Sequence, residues 1–148
     1  MDKKIVVCGC TDFGYEIVDF LLTNGVNISH LVSLSPEQAI QYKVSGYKSF
    51  ELLSTKYGIP IYYPKLYSMK ETDFDFFEKE KFDLLLVCGW QRLIPNKILE
   101  TIKICGIGSH GSSDLLPKGR GRSPVNWSII EGKKQFILQL FMLTPEID

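Results

Sequence analysis

The sequence predicts one α/β domain of three layers, a doubly wound and mostly parallel sheet with helices on both faces. Three observations predict it. Apolar runs without interruption, Lys4–Cys10 (KIVVCGC) and Phe82–Cys88 (FDLLLVC), read as strands covered on both sides. The order strand, glycine-bearing turn, helix, strand opens the chain, as it opens wound parallel sheets. The length, 148 residues, suits one domain that buries roughly 70% of its unfolded surface.

Taken in order, Lys4–Cys10 is the first strand, and Gly9, Thr11, Asp12 and Gly14 form the turn after it. Tyr15–Leu22 carries apolar residues at helical spacing until Gly25 ends the helix. Ile28–Leu34 is a second strand with His30 inside it as a structural residue, and Ser35–Tyr47 is a polar loop or short helix at the sheet edge. Phe50–Tyr57 reads as a helix stopped by Gly58 and Pro60, Ile61–Tyr63 as a short strand, and Ser68–Lys81 as a charged amphipathic helix. The aromatic residues Tyr62, Tyr63, Tyr67, Phe74, Phe76 and Phe77 supply core and sheet cover rather than a base-stacking platform. Phe82–Cys88 is a buried strand that delivers Gly89–Pro95 at its carboxyl end. A short helix over Pro95–Ile102 follows, then a strand over Ile104–Ile107 that brings His110 to the carboxyl edge of the sheet. Gln135–Leu143 is the last strand, before the tail Thr144–Asp148.

The stretch Cys105–Trp127 concentrates residues that do chemistry. It holds His110, one of two histidines, among glycines and serines, then Lys118, Arg120 and Arg122 on a glycine-spaced tether. Ser123 reads as an N-cap and Pro124 as the first helical position of a helix that closes on Gly132. A helix start beside three cations favours an anion. The alternative is a basic surface loop with no role. Ligands of open α/β sheets bind outside the carboxyl ends of strands where the strand order reverses, and Gly89–Pro95, Gly108–Pro117 and Asp148 all follow strands. An imidazole and a carboxylate on neighbouring strand ends would form an acid–base pair; otherwise Asp148 is a solvated terminal residue.

Composition narrows the classes. Seventeen basic residues balance seventeen acidic ones, against a nucleic-acid binder of the whole-surface type. No apolar run approaches the ~20 residues of a membrane span, and the opening is too briefly apolar for a secretory signal. Cys8, Cys10, Cys88 and Cys105 match no zinc spacing, so no metal site is expected, and reduced thiols point to the cytoplasm. Gly9 and Gly14 lack the dinucleotide-binding spacing, so no nicotinamide cofactor is expected.

At three of these segments the chain resembles the formyltransferases that use 10-formyltetrahydrofolate. The family segment Asn-x-His-x-Ser-Leu-Leu-Pro, then Arg-Gly and a Pro-x-x-Trp helix, is similar to Gly108–Ser112, Leu115–Pro117, Arg120-Gly121 and Pro124–Trp127. The family's folate loop resembles Gly89–Pro95, and its catalytic aspartate falls on Asp148. The resemblance implies a Rossmann-like formyltransferase fold, with residues 1–148 as the amino-terminal catalytic domain and the acceptor domain outside this chain. It implies His110 as general acid/base, with Asp148 fixing its tautomer and stabilising its protonated form. Gly89, Trp90, Arg92, Leu93 and Ile94 would bind the donor, 10-formyltetrahydrofolate. Ser112, Lys118, Arg120, Arg122 and Asn126 would bind the acceptor. Two departures stand out: Gly108 occupies the place of the family's catalytic asparagine, and Ser113-Asp114 is a two-residue insertion.

Within the resemblance, Arg120–Trp127 is closer to the sugar branch, which implies a nucleotide-linked amino sugar as the small-molecule acceptor, with no membrane partner and a homodimer as an assembly state. Methionyl-tRNA and hydrolysis of formyltetrahydrofolate are the competing enzymatic readings. A folate- or nucleotide-sugar-binding domain without catalysis, supported by Gly108, is the competing non-enzymatic one.

Overall fold

The computed structural model of the protein describes residues 3–70 and 72–145. The sheet grows outward from β1 (Ile5–Cys8), which pairs in parallel with β2 (His30–Val32) on one side and β4 (Leu84–Val87) on the other. β3 (Ile61–Tyr62) extends the first flank and β5 (Cys105–Ser112) the second, both in parallel. β6 (Ile137–Leu143) closes the second flank in antiparallel register, giving the order β3-β2-β1-β4-β5-β6. The order in which strands are added reverses between the parallel pair β1 and β4, which makes their carboxyl ends the switch point of this topology.

Alternation of side chains across the strands divides the core in two. Val6, Cys8, Val32 and Leu85 pack with Phe77 of α4 (Phe74–Glu80) and Ile98 of α5 (Asn96–Thr101). Val7 and Leu31 on the other face meet Val18 of α1 (Asp12–Thr23) and Leu53 of α3 (Glu51–Tyr57). The Thr11 hydroxyl caps α1 by accepting from the Gly14 N–H at 3.5 Å. Gly14 must lack a side chain, since a Cβ there would overlap the Cys88 carbonyl; the turn after β1 therefore lies directly against the end of β4.

Three elements depart from expectation for identifiable reasons. The Ser35–Tyr47 segment contains a true helix, α2 (Pro36–Gln41), because Ser35 and Gln38 form a reciprocal capping box. The helix expected over Ser68–Lys81 begins only at Phe74. Asp73 turns its carboxylate back to accept from the Tyr62 hydroxyl at 2.7 Å and the Lys65 N–H at 2.9 Å, which holds the preceding residues in a loop. β5 outruns its expected end at Ile107: its last parallel partner is Val87 at Gly108, and residues 109–112 pair with β6 alone. His30 has the structural role expected of it, edge-on to Phe82 at 5.2 Å and Phe76 at 5.8 Å.

Candidate active site

The loop after β4 is held from below by an aromatic–thiol chain. Tyr67 is buried; its hydroxyl accepts from the Gln91 N–H at 3.2 Å and lies 3.5 Å from Cys10 Sγ. Cys10 in turn donates to the Gly89 carbonyl at 3.6 Å. The Tyr67 ring meets Trp90 edge-on at 4.8 Å and carries the Arg92 guanidinium at 4.5 Å from its centre. Burial pushes the Tyr67 phenol and the Cys10 thiol up, and the Cys88 thiol to about 11. These groups stay protonated at neutral pH, so neither thiol offers a thiolate nucleophile. Their work is to fix the backbone of residues 89–91.

On β5, His110 lies two residues beyond the last parallel pair. Its Nε2 sits 2.9 Å from the Gly119 carbonyl, which can only accept, so Nε2 carries a proton. Gly119 has a left-handed backbone (φ 70°), and a Cβ on it would overlap Ser112 Oγ, so only glycine serves there. Ser112 is itself buried and accepts from the Asp114 N–H at 3.2 Å. Arg120 Nε donates to the Pro117 carbonyl at 2.8 Å, which ties the turn to itself.

Two hollows meet at this point. A cleft of about 890 Å³ is lined by Trp90, Arg92, Gly108, Ser109, His110, Arg120 and Arg122, with Phe141 and Leu143 as its floor. An apolar slot of about 480 Å³ runs from Met69 and Phe74 to Pro145. Leu93, Ile94, Phe141 and Leu143 line both, so the two adjoin. Among the described residues lining the cleft, three are arginines and none is Asp or Glu. No group of three or more His, Cys, Asp or Glu among the described residues could hold a metal ion.

The structure thus brings together His110, Gly108, Trp90, Arg92, Leu93, Ile94, Arg120 and Arg122. It does not bring Ser112, Lys118 or Asn126 to the same cleft. Ser112 braces the loop and, with Arg120 and Arg122, lines a smaller hollow beside α6 (Pro124–Ile130); Lys118 and Asn126 point to solvent. Gly89 supports the cleft through its carbonyl rather than lining it. Ser123 holds the expected N-cap position with Pro124 opening α6, but its backbone is left-handed (φ 55°) and its side chain makes no cap bond, so α6 starts without a side-chain cap. Asp148 lies outside the described residues. The strand before it runs antiparallel and ends with Leu143 beside Gly106, four residues before His110 on β5.

Gly108 leaves no gap. A Cβ there would meet Phe141 Cζ at 3.0 Å and a Leu143 methyl at 3.1 Å, so β6 has filled the space of the missing side chain. Phe141 and Tyr67 are the contributors that sequence reasoning did not place at the cleft. Both are distant in the chain from the loops they support, and only the pairing of β6 with β5 or the fold of residues 64–70 reveals them.

Comparison with known proteins adds a separate line. The profile of the family described as formyl transferase matches residues 3–148. A methionyl-tRNA formyltransferase of Ligilactobacillus salivarius is 27% identical over 98% of this chain and 45% of that protein. The bifunctional polymyxin resistance protein ArnA of Wigglesworthia glossinidia brevipalpis is 30% identical over 98% of this chain and 21% of that protein. The chain therefore spans less than half the length of these curated relatives. Among solved structures, phosphoribosylglycinamide formyltransferase from Anaplasma phagocytophilum superposes with a TM-score of 0.75 at 21% identity, covering 100% of this chain and 68% of that one.

Proposed function

The chain belongs to the formyl transferase family, and from that premise we propose that residues 3–148 bind 10-formyltetrahydrofolate and pass its formyl group to the amine of a nucleotide-linked amino sugar. The observation that carries the reading is the pair of hollows that adjoin at Leu93 and Ile94. The apolar slot suits a flat pterin ring, since such sites are mostly apolar with a few directed polar groups. Leu93 and Ile94 stand where slot and cleft join, so a donor ring in the slot directs its formyl group toward His110. The acceptor amine attacks the formyl carbon, the new C–N bond forms and the bond to the donor nitrogen breaks. The amine gives up a proton to His110 and the donor nitrogen takes one back. Arg120 and Arg122, unopposed by any described acidic residue of the cleft, suit the phosphates of the acceptor, while Arg92 stays with the donor loop over Tyr67. Asp148 has the role of stabilising the positive charge that His110 carries once it has taken the proton.

A methionyl-tRNA acceptor is the second reading, supported by the relative of that name. The even charge balance of this chain speaks for the smaller acceptor, because tRNA calls for a broad basic surface.

Calorimetry with a non-hydrolysable formylfolate analogue tests the donor half. Leu93 is 71% exposed, so Leu93→Ala spares the fold, and it should weaken binding about ten-fold by losing most of one buried leucine. Unchanged affinity overturns the slot assignment. Single-turnover transfer to amino-sugar nucleotides, with His110→Ala as the blank, tests the acceptor half. Tight analogue binding with transfer no faster than that blank would reduce the chain to a binding domain.

A further inference from the structure

We propose that Gln139 is a positioning residue for His110, acting through the 114–119 loop to hold the proton on Nε2 and leave Nδ1 as the basic nitrogen. The proposal rests on the acid–base role of His110 given above. Gln139 is the residue directly opposite His110 in the antiparallel register, on the same face of the sheet. Its side-chain amide makes no hydrogen bond to the imidazole. Instead both ends of its amide are spent on the loop that folds back over the histidine. Oε1 accepts from the Leu116 N–H at 2.8 Å, and Nε2 donates to the Asp114 carbonyl at 3.0 Å. A two-point amide clamp of this kind fixes both position and orientation of the backbone it grips, as one hydrogen bond does not.

The clamp lies at the right place to matter. Residues 114–116 lead directly into the turn whose Gly119 carbonyl accepts from His110 Nε2. The turn is also supported from the β5 end by Ser112 to the Asp114 N–H, within the loop by the Lys118 N–H to the Leu115 carbonyl and Arg120 to the Pro117 carbonyl, and by an ion pair of Lys133 with the Asp114 carboxylate at 3.6 Å. Gln139 alone among these residues lies on β6 and fastens the loop to that strand, while Gln135 Nε2, just before it, donates to the Ser113 carbonyl at 3.4 Å. With Nε2 donating to a carbonyl, the lone pair available to take a proton from an acceptor amine is on Nδ1. The assignment of the basic nitrogen thus depends on a side chain whose hydrogen bonds go to the loop and not to the imidazole.

Nitrogen-15 NMR of histidine-labelled protein reads the tautomer directly, and His30→Gln leaves His110 as the only histidine signal. Wild-type His110 should favour the Nε2–H form about five-fold more than a histidine in an unstructured peptide does, the worth of one ordinary hydrogen bond. A predominant Nδ1–H form, or a ratio equal to the peptide's, overturns the proposal. Gln139→Met keeps the length of the side chain and removes both bonds, and the ratio should fall to the peptide value; an unchanged ratio overturns the role of Gln139. Should that variant fold poorly, Gln139→Glu keeps the acceptor for Leu116 and loses the donor to Asp114. A partial fall is then expected, and no fall counts equally against the proposal. The tautomer is measured without substrates. A tautomer that follows Gln139 while His110→Ala transfers formyl as fast as wild type would therefore uphold the positioning and sink the acid–base reading instead.

Discussion

In β1, Val6, Val7 and Cys8 are wholly buried with both faces of the strand covered; in β6 every second residue stands open, with Leu138, Leu140 and Met142 58%, 74% and 68% exposed. Those three face away from His110, since their partners on β5 are Gly111, Ser109 and Ile107. The helices repeat the contrast. Val18 of α1 and Ile98 of α5 are fully buried, while Ile129 and Ile130 of α6 lie largely in solvent. The two regions show that equal hydrophobicity in sequence does not mean equal burial. One is held by packing, the other by strand pairing and by polar clamps such as Ser112 and Gln139. The candidate site draws from both, taking Trp90 to Ile94 from the closed region and Gly108 to Arg122 from the open one.

Substitutions of the same kind in the two regions should separate them most widely. Phe82→Ala, at a fully buried ring, should cost about 3–5 kcal/mol in urea unfolding, whereas Leu140→Ala should change stability by no more than about 0.5 kcal/mol. Similar losses at both would abolish the distinction.

The boundary between the regions is sharpened by Gly108. Gly108→Asn should destabilise by about 1–3 kcal/mol, because Phe141 and Leu143 already occupy the space; Phe141→Ala in the same chain should recover most of that loss. Additive effects in this double-mutant cycle would mean that β6 does not pack against Gly108 as described.

The smallest expected effect belongs to the closed region and to pH. Burial holds the pKa of His30 below its ordinary 6.5, opposed by Glu80 and helped by Lys4. Below 6.5 the unfolded chain binds this proton more readily than the folded one, so the contribution of neutral His30 is complete above 6.5 and is lost as pH falls. His30→Leu should flatten the difference in urea midpoint between about pH 7.5 and about pH 5.5. A slope as steep as that of wild type would assign the pH dependence elsewhere.

How far the sequence could be read follows the same division. β1 and β4 declare themselves because continuous apolar runs have one use in a wound sheet, and the Gly89–Pro95 loop follows from local residue types, whereas the Thr11 cap starts α1 at Asp12, ahead of the expected Tyr15. The start of β5 was legible too, but its continuation was not, since Gly108, Ser109, Gly111 and Ser112 carry almost no apolar signal; residues 109–112 are strand because β6 pairs with them from later in the chain. Asp73 delayed α4, and the left-handed backbone of Ser123 removed a cap, both through contacts or conformations that no local preference encodes. His110 was legible as chemistry at a strand end. Its tie to Gly119, and the turning of Ser112 from the cleft to the loop, depend on how the insertion Ser113-Asp114 folds back.

The two tryptophans of the chain fall one in each region: Trp90 is 7% exposed in the cleft wall against Tyr67, and Trp127 is 57% exposed on α6. An indole shielded from water fluoresces at shorter wavelength than one in contact with it. The emission of this protein is accordingly a sum of two colours with separate addresses. Its blue side carries the state of the cleft, and its red side carries the state of the open helix. Each half of the molecule thus has an optical signal of its own, built from residues already in place.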